Sequence, residues 1–450
     1  MTTKPADKFP GLKMALEPET VKQLLQDRLD LEDNLELSEV KIHEIHNQTR
    51  ENFCAVLYNL KLKHRETGNF SEEFIFAKLL QPGESPVLPT RDSINKYNRL
   101  PGRNIKTPAL HLPEAGITFY TRLTDPLLPW LVDASSQSHM KRELRHIYRS
   151  QGLQVQEVSP RILIYRPHMR ASLEYNVTAS RMDSDEVEPS RLIGKMDRKA
   201  DPASLHTKAW ALWNRTDRQE VNLPRPMGYI GSLWLTLQEF IEGQSMWRIL
   251  ESPEVVDLVR QVARGIAAVH NTDLPLSQWR VPQFNTRPGM ISVIRPDLAD
   301  RHANLTKKLA SEIENRTRVR GPVHGDFHPG NMRVNNDQVT LIDLDMLAYG
   351  DPLLDIGHFL ASMRRADLRT GSSHPALAQA RDAFLEEYLK LAPEDLSRIY
   401  LFEAHYLSTI SASAPFLRMG SSGDQMGEEF EMMLEEASLR FNEATKGKGS

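Results

Sequence analysis

A single cysteine, Cys54, stands in 450 residues. An internal disulfide is therefore excluded, and so is any Cys-rich zinc site, because both need at least a pair of thiols. No run approaches the ~18 apolar residues of a membrane helix. The opening MTTKPADKFPG lacks the apolar stretch of a secretory signal. An excess of one charge is missing too: 56 Lys and Arg stand against 60 Asp and Glu, for a net charge of -4. That balance gives no electrostatic reason for a nucleic-acid or anionic-membrane surface. Hydrophobic residues at 40% and charged residues at 26% argue against wholesale disorder. The length exceeds one ordinary core, so two or three domains are expected. The expectation is a cytoplasmic globular protein with neither nucleic acid nor membrane as partner; no pattern sets its oligomeric state.

What is present begins with strand-like runs. Residues 18–36 mix apolar positions with acids and read as a helix; VKIHEIH (40–46), FCAVLYNLKLK (53–63) and EFIFAKLL (73–80) read as strands. PGESPVLPTRDS is a loop by its prolines and serines, ITFYTRL (117–123) a strand and MKRELRHIY (140–148) a short helix. A second pass starts at 161 with RILIYR, RASLEYNVTA and SRLIGKMD. Phe53 to Lys78 spans 25 residues and Ala171 to Lys195 spans 24, each ending on a lysine among apolar neighbours. A degenerate duplication of one meander and two unrelated meanders both fit that spacing. DPASLHTKAWALW (201–213) reads as a helix, with Trp210 and Trp213 as core residues, and PMGYIG and LWLTLQEFI read as strands. From 254 the chain is mostly helical, beginning with VVDLVRQVARGIAAVH (255–270).

The chemistry gathers in VHGDFHPGNMRVNNDQVTLIDLD (323–345). VNNDQV supplies a tight turn, with its bend at Asn335 to Asp337. That bend sets Asn331 across from residues 340–342 and leaves Asp343 at the exit of the second strand. An amide and a carboxylate at one end of a ladder, completed by waters and phosphate oxygens, suit Mg2+, which dehydrates reluctantly. Asp326 lies on the incoming loop. His324-x-Asp326-x4-Asn331 followed by Asp343 is what phosphoryl transfer needs: a carboxylate for the attacking hydroxyl, and two oxygen ligands for the metal on the nucleotide.

In order and spacing, these four residues resemble the aminoglycoside phosphotransferase and choline kinase-like family of small-molecule kinases, which share the protein-kinase fold. YGDPLLDIGHFLA (349–361) is similar to the segment that follows the metal site there. The resemblance covers roughly 160 to 410. It implies an α+β, protein-kinase-like bilobal fold, with an antiparallel β small lobe (151–242) and a helical large lobe (243–442). An additional N-terminal α+β domain (1–150) and a tail (443–450) complete the chain. It implies ATP and Mg2+ as cofactors and a hydroxyl of a small molecule as acceptor. Asp326 would be the catalytic base, with His324 holding the loop's shape; Asn331 and Asp343 would bind metal, and Lys195 the phosphates. Gln238, Glu239 and Phe240 fall at the hinge, whose backbone would bond the adenine. Asp355 would brace the catalytic loop, while His270 would pack.

Two departures stand out. The small-lobe hairpin RPHMR (166–170) has no glycine, which leaves Arg166 or Arg170 as the charge available in place of a Gly-rich loop's amides. The helix after Lys195 has no glutamate to pair with that lysine; Asp217 or Glu220 would serve if the helix ran further. Two rivals stay open. One is a metal-dependent hydrolase using His324, Asp326 and His328 as ligands. The other is a catalytically weak or inactive kinase-fold protein that binds nucleotide or serves as a scaffold.

Overall fold

In the computed structural model, residues 8–48, 53–184, 186–284, 295–369, 375–413 and 423–446 are described. The chain divides into two compact units, Met1–His206 with Met227–Glu239 and Thr207–Pro226 with Phe240–Ser450. The class is α+β, and it includes the additional N-terminal β-rich part.

The first unit carries two five-stranded antiparallel sheets. The first is made of β1 (Leu35–Gln48), β2 (Phe53–His64), β3 (Phe70–Leu79), β4 (Ala109–Leu112) and β5 (Ile117–Thr121), ordered β1-β2-β3-β5-β4. The second is made of β6 (Leu153–Arg166), β7 (Arg170–Arg181), β8 (Val187–Asp197), β9 (Pro226–Ile230) and β10 (Leu235–Glu239), ordered β6-β7-β8-β10-β9. The order is the same in both. Register agrees as well: Lys78 lies between Ala55 and Thr118, and Lys195 between Ser172 and Thr236. Each final strand follows a short 3-10 turn closed by a left-handed residue, Gly116 in one sheet and Trp234 in the other.

Alternation explains why the first sheet is covered on both faces. Val56, Tyr58, Leu60 and Leu62 join a core with Val21 and Leu25 of α1 (Pro18–Gln26). Ala55, Leu57 and Phe76 join another core with Tyr165, Leu173 and residues of α3 (Gln137–Arg149). The helix expected over 18–36 ends at Gln26, because Leu35 and Leu37 alternate with polar residues and pair with β2. Within the stretch read as a loop after β3, α2 (Arg91–Asn98) begins, capped by the Thr90 hydroxyl on Ser93 N–H.

The second unit is helical. It starts within α4 (Pro202–Arg215) and continues through α5 (Val255–His270), α6 (Pro296–Arg316), α7 (Leu353–Arg369), α8 (Pro375–Leu391), α9 (Leu396–Ser413) and α10 (Gly423–Thr445). In α5, Val255, Leu258, Val259, Val262, Ile266 and Val269 are buried at helical spacing; each contributes about 1.5–3 kcal/mol relative to exposure. Where α7 crosses α9, a Cβ on Gly357 would meet the Phe402 backbone at 2.6 Å, so glycine alone lets the two helices approach. Trp213 is partly buried, but Trp210 is 43% exposed and stacks on it, which corrects its assignment to the core. Among the described residues, no helix is long and apolar enough to cross a membrane.

Candidate active site

β11 (Gln244–Ser245) lies beside β13 (Met332–Asn335), β12 (Gly321–Val323) leads into the loop before it, and β13 and β14 (Gln338–Leu341) form the expected hairpin. The turn is the two-residue form, Asn336 and Asp337, at φ +46° and +58°, one position tighter than the bend read from sequence. Ile342 N–H donates to Asn331 O at 2.9 Å, so the ladder runs one rung further and Asn331 and Asp343 emerge at the same end. Asp343 holds φ +64°, which costs a non-glycine residue about 1–2 kcal/mol. Such strain is found where surrounding structure fixes a functional geometry.

The loop preceding β13 hangs on one buried carboxylate. Asp355, 1% exposed at the start of α7, accepts His324 N–H at 2.6 Å and Gly325 N–H at 2.8 Å. His270, at the end of α5, meets the same carboxylate at 3.0 Å and Tyr388 at 3.0 Å on its other nitrogen. His270 therefore does more than pack: it ties α5 and α8 to the brace. Burial pushes the Asp355 carboxyl up; the His270 hydrogen bond, the charges of His270 and His324 and the Gly325 amide outweigh it, and the net shift is downward. Gly325, at φ +84°, leaves no room for a side chain, since a Cβ would sit 2.6 Å from Met346 O.

His324 is fully buried, with Nε2 at 2.9 Å from Ile342 O and Nδ1 facing Asp326 N–H at 3.4 Å. Both nitrogens are engaged within the loop and the hairpin, so His324 shapes the site and cannot join Asp326 and His328 as a third metal ligand. Among the described residues, no three His, Cys, Asp or Glu side chains gather as a metal cage. Asn331, 9% exposed, donates its amide to Asp326 O at 2.8 Å and to Oδ2 at 3.2 Å. Its amide oxygen and the Asp343 carboxylate are oxygen donors of the kind Mg2+ takes, together with waters and phosphate oxygens.

Asp326 is 44% exposed on its side chain and is flanked by two imidazoles. His328 Nδ1 accepts Gly330 N–H, so Nε2 carries the proton and faces Asp326 Oδ2 at 3.8 Å. His358 Nδ1 lies 3.9 Å from Asp326 Oδ1, and its ring stacks on Tyr406 at 4.6 Å. Burial pushes both imidazoles down, His358 to about 3, so both are neutral near pH 7. Trp247, 41% exposed, lies 6.3 Å from His328. The placement of His358, Tyr406 and Trp247 around Asp326 and His328 was not read from sequence. Only His358 carried a signal, three residues after Asp355 and one helical turn along.

Lys208 was missed entirely. On α4, where a glutamate was sought, its ammonium donates to Gln278 Oε1 at 3.1 Å, Leu347 O at 3.2 Å and Asp345 O at 3.4 Å. It therefore fastens the turn that follows Asp343. Burial lowers its pKa, against the opposing charge of Asp345. The helix ends at Arg215, so Asp217 and Glu220 lie beyond it and exposed; Asp201 caps its start through Ser204 N–H.

The residues expected from sequence to face the phosphates and the adenine, Phe240 apart, belong to the first unit. Lys195 is half-buried in β8, Arg170 opens β7 opposite Asp197, and Gln238 and Glu239 end β10. Phe240 begins the last stretch of the second unit, three residues before the boundary read from sequence.

Residues 185–402, just under half of the chain, match the family model of the phosphotransferase enzyme family (APH). The recognition made from the catalytic loop holds over that segment, and β1–β5 lie outside it. No curated protein matches the chain. Among solved structures, aminoglycoside phosphotransferase APH(4)-Ia, a thermostable mutant in ternary complex with ADP and hygromycin B, is similar at 15% identity. That match covers 69% of this chain and 99% of that one, with a TM-score of 0.43. Amicoumacin kinase hAmiN, in complex with AMP-PNP, Ca2+ and Ami, shows 14% identity over 63% of this chain and 88% of that one, with a TM-score of 0.43. Choline kinase LicA from Streptococcus pneumoniae shows 14% identity over 67% and 99%, with a TM-score of 0.40.

Proposed function

We propose that this chain, with a phosphotransferase-family segment over 185–402, moves the γ-phosphoryl group of ATP to a hydroxyl of a small molecule such as a sugar, an amino alcohol or an aminoglycoside. The observation that carries the reading is the shared end of the β13–β14 hairpin. There Asn331 and Asp343 sit beside a loop whose Asp326 carboxylate stays accessible while the rest of the loop is anchored to Asp355. Asp326 orients the acceptor hydroxyl and takes its proton as the acceptor O–P bond forms and the bond from the γ-phosphorus to the bridging oxygen breaks, with ADP as the leaving group. The Asn331 amide, on Asp326 Oδ2, holds that carboxylate in one rotamer. Neutral His328 and His358 leave Asp326 as the carboxylate for the acceptor hydroxyl. Asn331 Oδ1 and Asp343 would hold Mg2+, which when bound neutralises developing phosphate charge. Lys195 would hold the phosphates with Arg170, and the backbone at Gln238, Glu239 and Phe240 would bond the adenine.

The test is transfer of labelled γ-phosphate from ATP, with magnesium, to a panel of sugars, amino alcohols and aminoglycosides. Labelled product supports the reading. Nucleotide binding with no transfer to any class would favour the catalytically inactive alternative.

Lys208 supplies a prediction within this reading. Replacing it by Met removes three hydrogen bonds and leaves two carbonyls unsatisfied, a loss of about 2 kcal/mol. Lys208→Met is expected to raise the magnesium concentration for half-maximal nucleotide binding by about tenfold as the Asp343 turn loosens. An unchanged magnesium titration would assign Lys208 to helix packing alone.

A further inference from the structure

The β6–β7 hairpin joins Arg166 to Arg170 through Pro167, His168 and Met169, and in the kinase reading it is the loop that covers the phosphates. Such loops are glycine-rich; this one has no glycine. His168 sits at φ +62° and is only 4% exposed, although it is a hairpin tip. Its backbone N–H donates to Asp125 Oδ2 at 2.7 Å, and the Tyr165 hydroxyl donates to the same oxygen at 2.7 Å. Asp125 is 1% exposed, and its other oxygen accepts Leu127 N–H at 2.9 Å and lies 3.6 Å from His168 Nε2. Around the imidazole stand Phe53, Phe76 and Tyr120, with ring centroids at 5.3, 5.2 and 5.9 Å.

All three rings belong to the first sheet. Phe76 shares a strand face with Lys78, the residue that occupies in β3 the register position of Lys195 in β8. Lys78 is itself buried and paired with Glu84. The face corresponding to the phosphate side of the second sheet is thus closed in the first: its lysine is neutralised, and the other sheet's hairpin fills the space. A glycine-free tip with a left-handed histidine is stable only where its surroundings hold it.

We propose that the N-terminal sheet is a second copy of the small lobe, turned into a seat for the β6–β7 hairpin, with Asp125 and His168 as positioning residues for nucleotide phosphates. The seat replaces glycine flexibility with a fixed loop, so that Arg166 and Arg170 are presented without an ordering cost on binding. The inference rests on the kinase reading, and it adds a role for residues 35–125 that the reading lacks. It also predicts that the first sheet, with Lys78 engaged and its face filled, has no nucleotide site of its own.

The test uses the full chain with Asp125→Ala and His168→Gly. The glycine variant keeps the backbone donor and relieves the left-handed strain, so it is expected to fold even if Asp125→Ala does not. Deuterium uptake by a peptide spanning 162–172 should rise in either variant. Calorimetry with Mg·ATP should then show a dissociation constant raised about tenfold, while adenosine, which has no phosphates, stays within about twofold. A merely structural role would weaken both ligands together, and that result overturns the inference. So does an unchanged Mg·ATP constant with a deprotected hairpin. If the wild type fails to bind Mg·ATP, the kinase reading itself falls, an outcome distinct from wild-type binding that the variants leave intact.

Discussion

Asp326→Asn is expected to cut phosphoryl transfer by about a thousandfold in kcat, within the range for removing a positioned general base, and to leave the Mg·ATP dissociation constant within about twofold. The split follows from where Asp326 stands. It is the exposed carboxylate of the loop, with Asn331 on one oxygen and, about 4 Å away on both sides, imidazoles whose basicity burial lowers, so Asp326 is the charged acceptor for the hydroxyl proton. In the proposed reaction Asn331 and Asp343 would instead act on the nucleotide side. An asparagine at 326 keeps the volume and an acceptor for the Asn331 amide but cannot take the hydroxyl proton. Steady-state kinetics on whichever acceptor the transfer panel identifies would check this. A kcat within threefold of wild type would place the base elsewhere, with His328 the next group to examine.

The second large effect belongs to Asp355. Removing its side chain strands His324 N–H, Gly325 N–H and the His270 ring in a dry interior. Breaking a buried charged network of this kind costs about 3–5 kcal/mol, and for a unit of this size Tm should fall by roughly 10 °C. Asp355→Ala should lose activity as well, since the catalytic loop has no other anchor of that strength. Its pH dependence is predictable in sign. The folded carboxyl is held below its ordinary value, so its stabilisation is complete above the unfolded value, near 3.9, and is lost as pH falls through the folded one. Urea midpoints of wild type and Asp355→Ala should therefore differ by a constant amount at neutral pH and converge in acid. A gap that stays unchanged however far the pH falls would mean the carboxyl contributes shape, not charge.

The catalytic end was legible because its signals are local. A tight turn fixes which residues of a hairpin stand opposite, so the joint exit of Asn331 and Asp343 follows from counting. α5 was readable to both ends because its apolar spacing is unbroken from Val255 to Val269. What failed to show was long-range. α6, 21 residues long, buries only a narrow stripe and is largely polar, so its periodicity is weak in sequence. Lys208 reaches carbonyls about 140 residues away, and nothing in KAWALW marks it. Asp125 in RLTDP looks like a turn residue; its role appears only when Tyr165 and His168 come to it across 40 and 43 positions. The matching strand order of the two sheets was half-visible, since the lysine spacing recurs while the residues along the strands differ.

The central claim is a metal-dependent nucleotide site at the end of the β13–β14 hairpin, and calorimetry of ATP binding with and without magnesium, on wild type and Asp343→Ala, tests it most directly. The account predicts wild-type binding that requires magnesium and collapses in the variant. ATP binding that ignores magnesium and survives Asp343→Ala, or no binding under any metal condition, would contradict it.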